Sequence, residues 1–403
     1  MGQFDTEQEL QLMKKSIDDF VEREVRPVEE EYEDVLIPDY AGLQPDGRLK
    51  DRTLEAINTI RRKSAETGFY GMHMPESVGG MDVGLQQQLD LIQHIYSHGF
   101  GLNVRMVEAG AGPSTVYMNL DDDLVDEFLR PAVRAEKTAC FAMTESSSGS
   151  DALDMRTTAT KDGDEWVVSG EKMWITNAPY ADFGQVYAVT DPDAKKSRRI
   201  SAFLFDTSDP AFEVKRVIRI LLNDGDHAEV AFNDLRIPDR YLMGERGRGL
   251  SLALENINET RLKQTARCAG LMDYLADRCV EYANDRTSWG APIGQRQHVR
   301  RLVADIVAWQ ATAETLLQRG TWEVEHGTNA IQACAIANRF ATQKLFEAAD
   351  NAIQVFGGNG LTHEYGIERI LRRARVMRVS EGTIEMQTET IAKEAGLGRA
   401  VGM

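Results

Sequence analysis

Apolar residues recur at helical spacing through the first third of the chain. The segment TEQELQLMKKSIDDFVEREVRPVEEEYE carries this period, and RTLEAINTIRRKSAETG, GLQQQLDLIQHIYSHG and DDDLVDEFLRPAV continue it. The intervening stretch LIPDYAGLQPDGRLKD is rich in proline, glycine and aspartate, which is typical of a surface loop. Residues 1–137 are therefore predicted to form an N-terminal helical domain.

The hydrophobic period changes near residue 138. The segment TTATKDGDEWVVSGEKMWITNA places β-branched and aromatic residues on both sides of an Asp-Gly pair, which predicts a β-hairpin. Further strands are predicted for QVYAVTD, ISAFLFD, FEVKRVIRIL and HAEVAFNDLRIP. Residues 138–240 are thus expected to form a middle antiparallel β-domain, either a sandwich or a barrel.

The last part of the chain, residues 241–403, contains a single proline, Pro292, and is rich in Ala, Leu, Glu and Arg. This composition predicts long helices that pack as a four-helix bundle. The predicted fold class is therefore α+β and multidomain: a helical domain, a β-domain and a C-terminal helical bundle.

Bulk composition excludes several classes of protein. With 42% hydrophobic and 27% charged residues, the chain has the composition of a globular protein and not of a disordered one. The net charge of -18 disfavours nucleic acid or an anionic membrane as a partner. No apolar run approaches a membrane span, and the start lacks a secretory-type apolar core, so we expect a cytoplasmic protein.

Cysteine and histidine content argues against metal and disulfide chemistry. The four cysteines, Cys140, Cys268, Cys279 and Cys334, include no C-x-x-C pair and are expected to be buried free thiols. The seven histidines are scattered along the chain, and we expect no metal site.

Two motifs in the predicted β-domain have both a ligand-binding and a purely structural interpretation. In FAMTESSSGSD, small hydroxylated residues crowd around Gly149 and could turn polar groups toward a ligand, or simply form a turn after a strand. In EKMWITNA, Trp174 and Thr176 alternate on one face of a strand. They could flank a planar cofactor, or Trp174 could belong to the sandwich core.

Three motifs in the helical region are similarly open. In NDRTSWGAPIGQRQ, Arg286 could meet a phosphate or lie on a surface connection between helices. The glycines of IQVFGGNGLTHEYG permit close backbone approach to a pyrophosphate, or they end a helix. The arginines of RILRRARVMR favour a solvated or ion-paired helical face.

The segment VSEGTIEMQ places the carboxylate of Glu381 directly before Gly382. A glutamate near a helix start is favoured by the helix dipole, which needs no functional explanation. The alternative is that Gly382 leaves room for a substrate against this carboxylate.

Five motifs in this order match one family. TESSSGSD matches T-E-P-x-A-G-S-D, KMWITN matches K-x-W-I-T-N, and R-T-S-W-G with Gln297 matches R-x-x-F-G…Q. QVFGGNG and SEGTIEMQ match the last two signatures. The chain therefore resembles the acyl-CoA dehydrogenase family over nearly its full length.

The resemblance implies an FAD-dependent enzyme that converts an acyl-CoA thioester to a 2-enoyl-CoA. It implies that Glu381 removes the α-proton while a hydride leaves the β-carbon for flavin N5. The FAD contacts that it implies are Met143, Thr144, Ser150, Trp174, Thr176, Arg286, Ser288, Gln297, Gln354, Gly357, Gly358, Thr383 and Glu385. The substrate contacts that it implies are Ser150, Asn258, Arg261 and Gly382.

The resemblance also implies a homotetramer, built as a dimer of dimers, and an electron-transfer flavoprotein as electron acceptor. A flavin-dependent oxidase or monooxygenase on the same fold is the alternative, although monooxygenases of this fold generally lack the glutamate base. The acyl group could be branched, cyclic or dicarboxylic. As a hypothesis, Arg105 pairs with a second carboxylate of the acyl group; otherwise it faces solvent or pairs with Glu108.

Several positions depart from the family pattern. Ser146, Ser147 and Ser148 occupy places where proline and alanine are usual, and Glu385 stands where glutamine is common. Arg373 replaces a frequent aspartate. Ser380 replaces a bulky residue before the base and could enlarge the pocket around the reacting carbons.

Overall fold

The computed structural model describes residues 3–37, 41–107, 110–222, 224–255 and 257–397. The helices are α1 (Gln3–Phe20), α2 (Arg26–Glu31), α3 (Glu33–Leu36), α4 (Asp51–Glu66), α5 (Leu85–Tyr96), α6 (Asp122–Leu124), α7 (Arg130–Val133), α8 (Gly249–Glu255), α9 (Ile257–Asp285), α10 (Gln297–Glu325), α11 (Ile331–Phe356), α12 (Ile367–Met377) and α13 (Ile384–Glu394). The strands are β1 (Ala139–Ala142), β2 (Thr158–Asp162), β3 (Glu165–Thr176), β4 (Phe183–Val189), β5 (Ile200–Asp206), β6 (Phe212–Val217), β7 (His227–Pro238), β8 (Leu242–Met243), β9 (Thr287–Ser288) and β10 (Ala291–Pro292).

The chain divides into two compact units that interleave along the sequence. The helical unit takes its described residues from 1–30, 84–104 and 257–403, and the sheet unit takes its residues from 31–83 and 105–256. Helices α1 and α5 thus belong with the C-terminal helices, although the sequence placed them in a separate N-terminal domain. The domain limits at residues 137 and 240 stay predictions.

The helical unit is built on three long helices, α9, α10 and α11, which pack against one another in pairs. Helix α5 packs on α9, and the shorter α12 and α13 pack on α11. Alanines at helical spacing line the buried face of α11, including Ala333, Ala337 and Ala341. Small side chains let neighbouring helices approach closely, which suits a helix with four packed neighbours.

The sheet unit contains a sheet with strand order β6-β7-β3-β2-β4-β5-β8, and β1 pairs with β4. The predicted hairpin is β2–β3, with Asp162 opposite Glu165 and Gly163 at φ +61° in the turn. That left-handed conformation explains the Asp-Gly pair. Most pairings are antiparallel as predicted, but β1 runs parallel to β4 along four residue pairs, which the sequence did not predict.

Two hydrophobic clusters cover the two faces of this sheet. Phe183 and Tyr187 belong to one cluster, together with Phe128 from the helical segment before the sheet. Val186 and Phe203 belong to the other cluster, where aromatic residues of neighbouring strands meet. Strands β4 and β5 contribute to both clusters, which explains why they read as continuous apolar runs and not as alternating ones.

All four cysteines are buried free thiols, as predicted. In the part of the chain that the structure describes, no helix has the length and apolar character needed to cross a membrane.

A buried ion pair joins Lys172 of β3 to Glu145, with Nζ and Oε1 2.9 Å apart and side chains that are 0% and 5% exposed. Lys172 also donates to the carbonyl of Met143 at 3.0 Å, and Thr157 donates to Glu145 from both its N–H and its hydroxyl. Burial lowers the pKa of Lys172 to about 8, although Glu145 opposes this shift. Burial alone would raise the pKa of Glu145, but Lys172 and the hydrogen bonds from Thr157 lower it.

We expect Lys172→Met to lower the free energy of unfolding by about 3–5 kcal/mol, because it leaves the Glu145 carboxylate buried without its cation. The double variant Lys172→Met/Glu145→Gln is expected to recover part of this loss, since a neutral amide needs no cation. Urea denaturation followed by circular dichroism measures both effects.

Lys215→Met is the matched control, because Lys215 forms an exposed ion pair with Glu171 in the same unit. Lys215→Met is expected to lower the free energy of unfolding by less than about 1 kcal/mol. Equal losses in Lys172→Met and Lys215→Met would show that the buried pair does not stabilise the sheet unit as described.

Candidate active site

In the sheet unit, the chain around Met143 and Thr144 runs beside the end of β3. The N–H of Met173 donates to the carbonyl of Thr144 at 2.8 Å. The pairing of β3 with β7 shifts register between Lys172 and Ile175, and Trp174 lies in this irregularity at φ +66°. The indole is consequently 47% exposed and does not belong to the core. Of the two interpretations of Trp174, the core interpretation is therefore wrong.

Thr176 and Ser150 complete the predicted flavin residues of this unit. Thr176 is half-buried two residues beyond Trp174, and its hydroxyl lies 3.4 Å from Nε2 of His227. Ser150 is exposed on the serine-rich loop after β1. Backbone hydrogen bonds in both directions between Glu145 and Ser148 close this loop into a compact turn.

Arg105 is half-buried in the 3₁₀ turn Leu102–Met106. Glu108, its alternative partner, lies outside the described residues. Contact between Arg105 and a substrate remains a prediction.

In the helical unit, Glu381 lies in the turn that links α12 to α13. Its backbone has φ +57° and that of Gly382 has φ +85°, so two consecutive residues are left-handed. Glycine tolerates this conformation, but glutamate adopts it at a cost in energy, and such strain is concentrated at functional sites. A Cβ built on Gly382 would lie 3.2 Å from Nε2 of Gln387, so this position is also tight.

Gln387, which is 1% exposed, fastens this turn. Its Nε2 donates to the carbonyl oxygens of Glu381 at 3.2 Å and of Gly382 at 3.3 Å. The hydroxyl of Thr383 caps α13 by accepting from the N–H of Met386, and Glu385 follows exposed in the first helical turn. Both predicted flavin residues therefore also have a local role in starting the helix.

The electrostatic surroundings of Glu381 combine desolvation with positive charge. Glu381 is exposed as a residue, but the protein atoms around its carboxyl group desolvate that group. This desolvation raises the pKa of the carboxyl. Arg267, Arg373 and Arg261 act in the opposite direction. A carboxylate with a raised pKa that nearby cations help to ionise is suited to accept a proton near neutral pH.

Two predicted substrate residues near the start of α9 carry polar atoms without partners. Asn258 and Arg261 are half-buried. The Oδ1 atom of Asn258 and the Nε atom of Arg261 are buried, and neither forms a hydrogen bond. Buried polar atoms are normally paired, so these two are available to a ligand.

The remaining predicted flavin residues lie at two places in the helical unit. Arg286, Ser288 and Gln297 flank the β9–β10 hairpin, where Arg286 and Gln297 are exposed and Ser288 is half-buried. Gln354 lies near the end of α11, and Gly357 and Gly358 follow. A Cβ built on either glycine would meet no atom within 4 Å, so the backbone there faces open space.

These residues fit FAD as the bound group. An indole exposed at a strand irregularity offers a flat surface for a ring system. The open backbone at Gly357 and Gly358 offers close approach for a pyrophosphate. Each feature is present within its own unit.

The structure adds residues that the sequence analysis missed. Gln387 and Arg267 were not singled out, and both are buried in the structure. The available signals were a glutamine six residues after Glu381 and an arginine among the apolar residues of α9. The sequence analysis also did not single out His94 and His98, which are four residues apart. Their Nε2 atoms lie 2.7 and 3.0 Å from Oδ1 of Asp18, and hydrogen bonds account for this arrangement.

Three segments of the chain match domain families. Residues 7–136, 140–235 and 247–396 match the N-terminal, middle and C-terminal domains of acyl-CoA dehydrogenase. The chain belongs to the acyl-CoA dehydrogenase family. It is accordingly an FAD-dependent oxidoreductase, and the predicted helical, β and helical order of the fold is confirmed.

Similar proteins span nearly the whole chain. An acyl-CoA dehydrogenase of Bacillus subtilis strain 168 is 28% identical over 388 residues, covering 96% of this chain and 97% of the relative. A 3-(aryl)acrylate reductase of Clostridium sporogenes is 27% identical, covering 96% and 98%. The FAD complex of PigA has a TM-score of 0.84 at 25% identity, covering 96% and 98%.

We expect Gln387→Met to lower kcat about 10- to 100-fold, because the turn that orients the Glu381 carboxylate loses both of its side-chain hydrogen bonds. KM is expected to change little, since Gln387 acts through the backbone of its neighbours. Steady-state kinetics with an acyl-CoA thioester measures both constants.

Gln332→Met is the control, because Gln332 also donates to a backbone carbonyl in this unit, that of Ile391. It is expected to leave both constants near the wild-type values. A rise in KM with unchanged kcat in Gln387→Met would contradict a role in orienting the base.

Proposed function

We propose that this protein is an acyl-CoA dehydrogenase in which Glu381 removes the α-proton of an acyl-CoA thioester to give a 2-enoyl-CoA. The observation that carries the proposal is the state of Glu381: a strained backbone beside Gly382 and a carboxyl group whose pKa is raised by desolvation. A glutamate that only favoured a helix dipole would need neither the left-handed backbone nor the desolvation.

Proton removal from a thioester requires more than a base. The α-proton is weakly acidic, and the negative charge that develops on the thioester oxygen must be stabilised by hydrogen-bond donors. Among the described residues, none accepts a hydrogen bond from the backbone N–H of Glu381. This N–H is therefore available to the thioester oxygen, and it would place the carbonyl group beside the carboxylate.

FAD, when bound, supplies the redox chemistry by accepting the hydride equivalent. The residues proposed to hold it are those named from the family motifs. Trp174 and Thr176 would lie beside its ring system, Met143, Thr144 and Ser150 would line it, and Gly357 and Gly358 would admit its pyrophosphate. Arg286, Ser288, Gln297 and Gln354 would hold the adenine and pyrophosphate half, with Thr383 and Glu385 as further contacts.

The proposed substrate is a coenzyme A thioester that meets Asn258 and Arg261, where buried polar atoms lack partners. The proposed electron acceptor is an electron-transfer flavoprotein, and the proposed assembly is a homotetramer, as the family resemblance implies. The acrylate reductase among the relatives acts, by its name, on a carbon–carbon double bond, which is the bond that this reaction would form.

An oxidase on the same fold is the second candidate. It would keep Glu381 and differ in how the reduced flavin reacts with oxygen. The same experiment separates the two, because reduction by substrate is followed anaerobically and reoxidation is then followed after oxygen is admitted.

We expect anaerobic titration of the purified holoenzyme with a panel of acyl-CoA thioesters to bleach the flavin absorbance with one class of acyl group. Glu381→Gln is expected to lower the rate of bleaching at least about 1,000-fold while FAD remains bound, because an amide cannot accept the α-proton. The rate should rise with pH through the pKa of Glu381, which burial places above the ordinary value, because only the ionised carboxylate is a base.

Glu389→Gln is the matched control, since Glu389 is exposed on α13 a few residues away. It is expected to bleach like the wild type. Unchanged bleaching in Glu381→Gln would refute the assignment of the base, and an FAD-containing protein that no thioester reduces would refute the substrate class.

A further inference from the structure

We propose that Arg267 and Arg373 form a binding site for a carboxylate on the acyl group of the substrate. This inference rests on the proposed function and names a substrate class for it: acyl-CoA thioesters whose acyl chain ends in a second carboxylate. Arg267 lies on α9 and Arg373 on α12, and both belong to the helical unit.

Arg267 is a buried cation whose guanidinium group forms no ion pair with the described residues. The residue is 6% exposed, and its Nε atom is buried without a hydrogen-bond partner. No carboxylate in the described part of the chain forms an ion pair with Arg267. A charge removed from water without a partner is costly, so an arginine kept in this state is suited to a ligand that brings the anion.

Arg373 repeats this arrangement on the neighbouring helix. Its Nε atom is also buried without a partner, and its guanidinium group lies 5.5 Å from the ring centre of Phe100. By contrast, Arg372 of the same helix is paired with Glu368 at 2.8 Å. The prediction of a solvated or ion-paired helical face thus holds for Arg372 but not for Arg373.

The packing of α9 directs Arg267 toward the catalytic turn. Gln264, one helical turn earlier on the same face, donates to the carbonyl of Met377 at 2.9 Å, where α12 ends. Helix α12 packs on α9. Burial raises the pKa of the Cys268 thiol, and the positive charges of Arg373 and Arg267 both act to lower it. The two arginines therefore lie near each other, and both lie close enough to Glu381 to influence its ionisation.

This location selects the acyl group over the nucleotide as the source of the anion. The phosphates of coenzyme A are separated from the thioester by the long pantetheine arm. A group that reaches arginines beside the proton-abstracting carboxylate is attached on the acyl side of the thioester. Two guanidinium groups can bind one carboxylate with several charge-assisted hydrogen bonds.

The test compares two substrates that differ only in charge. One is an ω-carboxyacyl-CoA such as glutaryl-CoA, and the other is the ω-carboxamide of the same length, which keeps shape and coenzyme A constant. The wild-type holoenzyme is expected to prefer the carboxylate about 10- to 100-fold in kcat/KM, the usual range for a hydrogen-bonded charge. Several chain lengths are tested, because the distance from the thioester to the arginines sets the best one.

The variants assign the preference to the arginines. Arg267→Met and, independently, Arg373→Met are expected to lose this preference, so that the ratio of kcat/KM for the carboxylate to kcat/KM for the carboxamide falls toward one. Any loss that arises through the ionisation of Glu381 affects both substrates equally and cancels in this ratio. Arg267→Lys should retain part of the preference, because it keeps the charge and loses the planar fork. Arg278→Met is the control, since Arg278 lies on the same helix and pairs with Glu281.

Two outcomes would overturn the proposal: no preference for the carboxylate in the wild type, or equal losses on both substrates in the variants. The second outcome would show that the arginines act only on Glu381. Calorimetric binding of the same two thioesters decides the anion site separately from turnover. Failure of both thioesters to reduce the flavin, with tighter binding of the carboxylate, would refute the proposed reaction and keep the site.

Discussion

The left-handed turn at Glu381 and Gly382 depends on the packing of the helices around it. Glu381 and Gly382 both have positive φ, and a non-glycine residue holds this conformation only where its surroundings enforce it. The enforcement comes from the two helix ends that flank the turn and from Gln387, whose amide takes up two carbonyl groups that no helix satisfies. The packing of α12 and α13 on α11 therefore does more than fill a core, because it fixes the direction in which one carboxylate points.

The electrostatics of this turn are a balance between burial and charge. Desolvation would keep Glu381 protonated, while Arg267, Arg373 and Arg261 favour its ionised form. In a chain with a net charge of -18, three arginines near one carboxylate are a local excess of positive charge. The arginines cannot all be explained by the base, because one carboxylate balances one cation. A thioester substrate with an anionic acyl end would restore that balance during binding.

Sequence reasoning predicted the features that depend on neighbours in the chain. The Asp-Gly turn of β2–β3 and the glycine-rich stretch that begins at Gly357 are local signals with a direct backbone meaning. Trp174 was ambiguous because its exposure depends on a register shift against β7, a strand more than fifty residues away. The parallel pairing of β1 with β4, the unpaired state of Arg267 and the convergence of His94 and His98 on Asp18 also depend on distant partners. These features follow from tertiary packing, which one sequence does not contain.

The sheet unit also contains buried charges, but there the charged groups pair with each other. Lys172 and Glu145 are both removed from water, but each is the partner of the other, and Thr157 and Met143 supply the remaining hydrogen bonds. The pair joins the loop after β1 to the part of β3 that immediately precedes Trp174. Because the charged groups of this network are paired within the protein, the network makes the backbone next to Trp174 rigid. It leaves no unpaired charge to bind a ligand. The helical unit does the opposite at Arg267 and Arg373, where unsatisfied cations remain. Paired buried charges therefore stabilise the sheet unit, whereas the unpaired arginines of the helical unit form the proposed binding site for a carboxylate of the substrate.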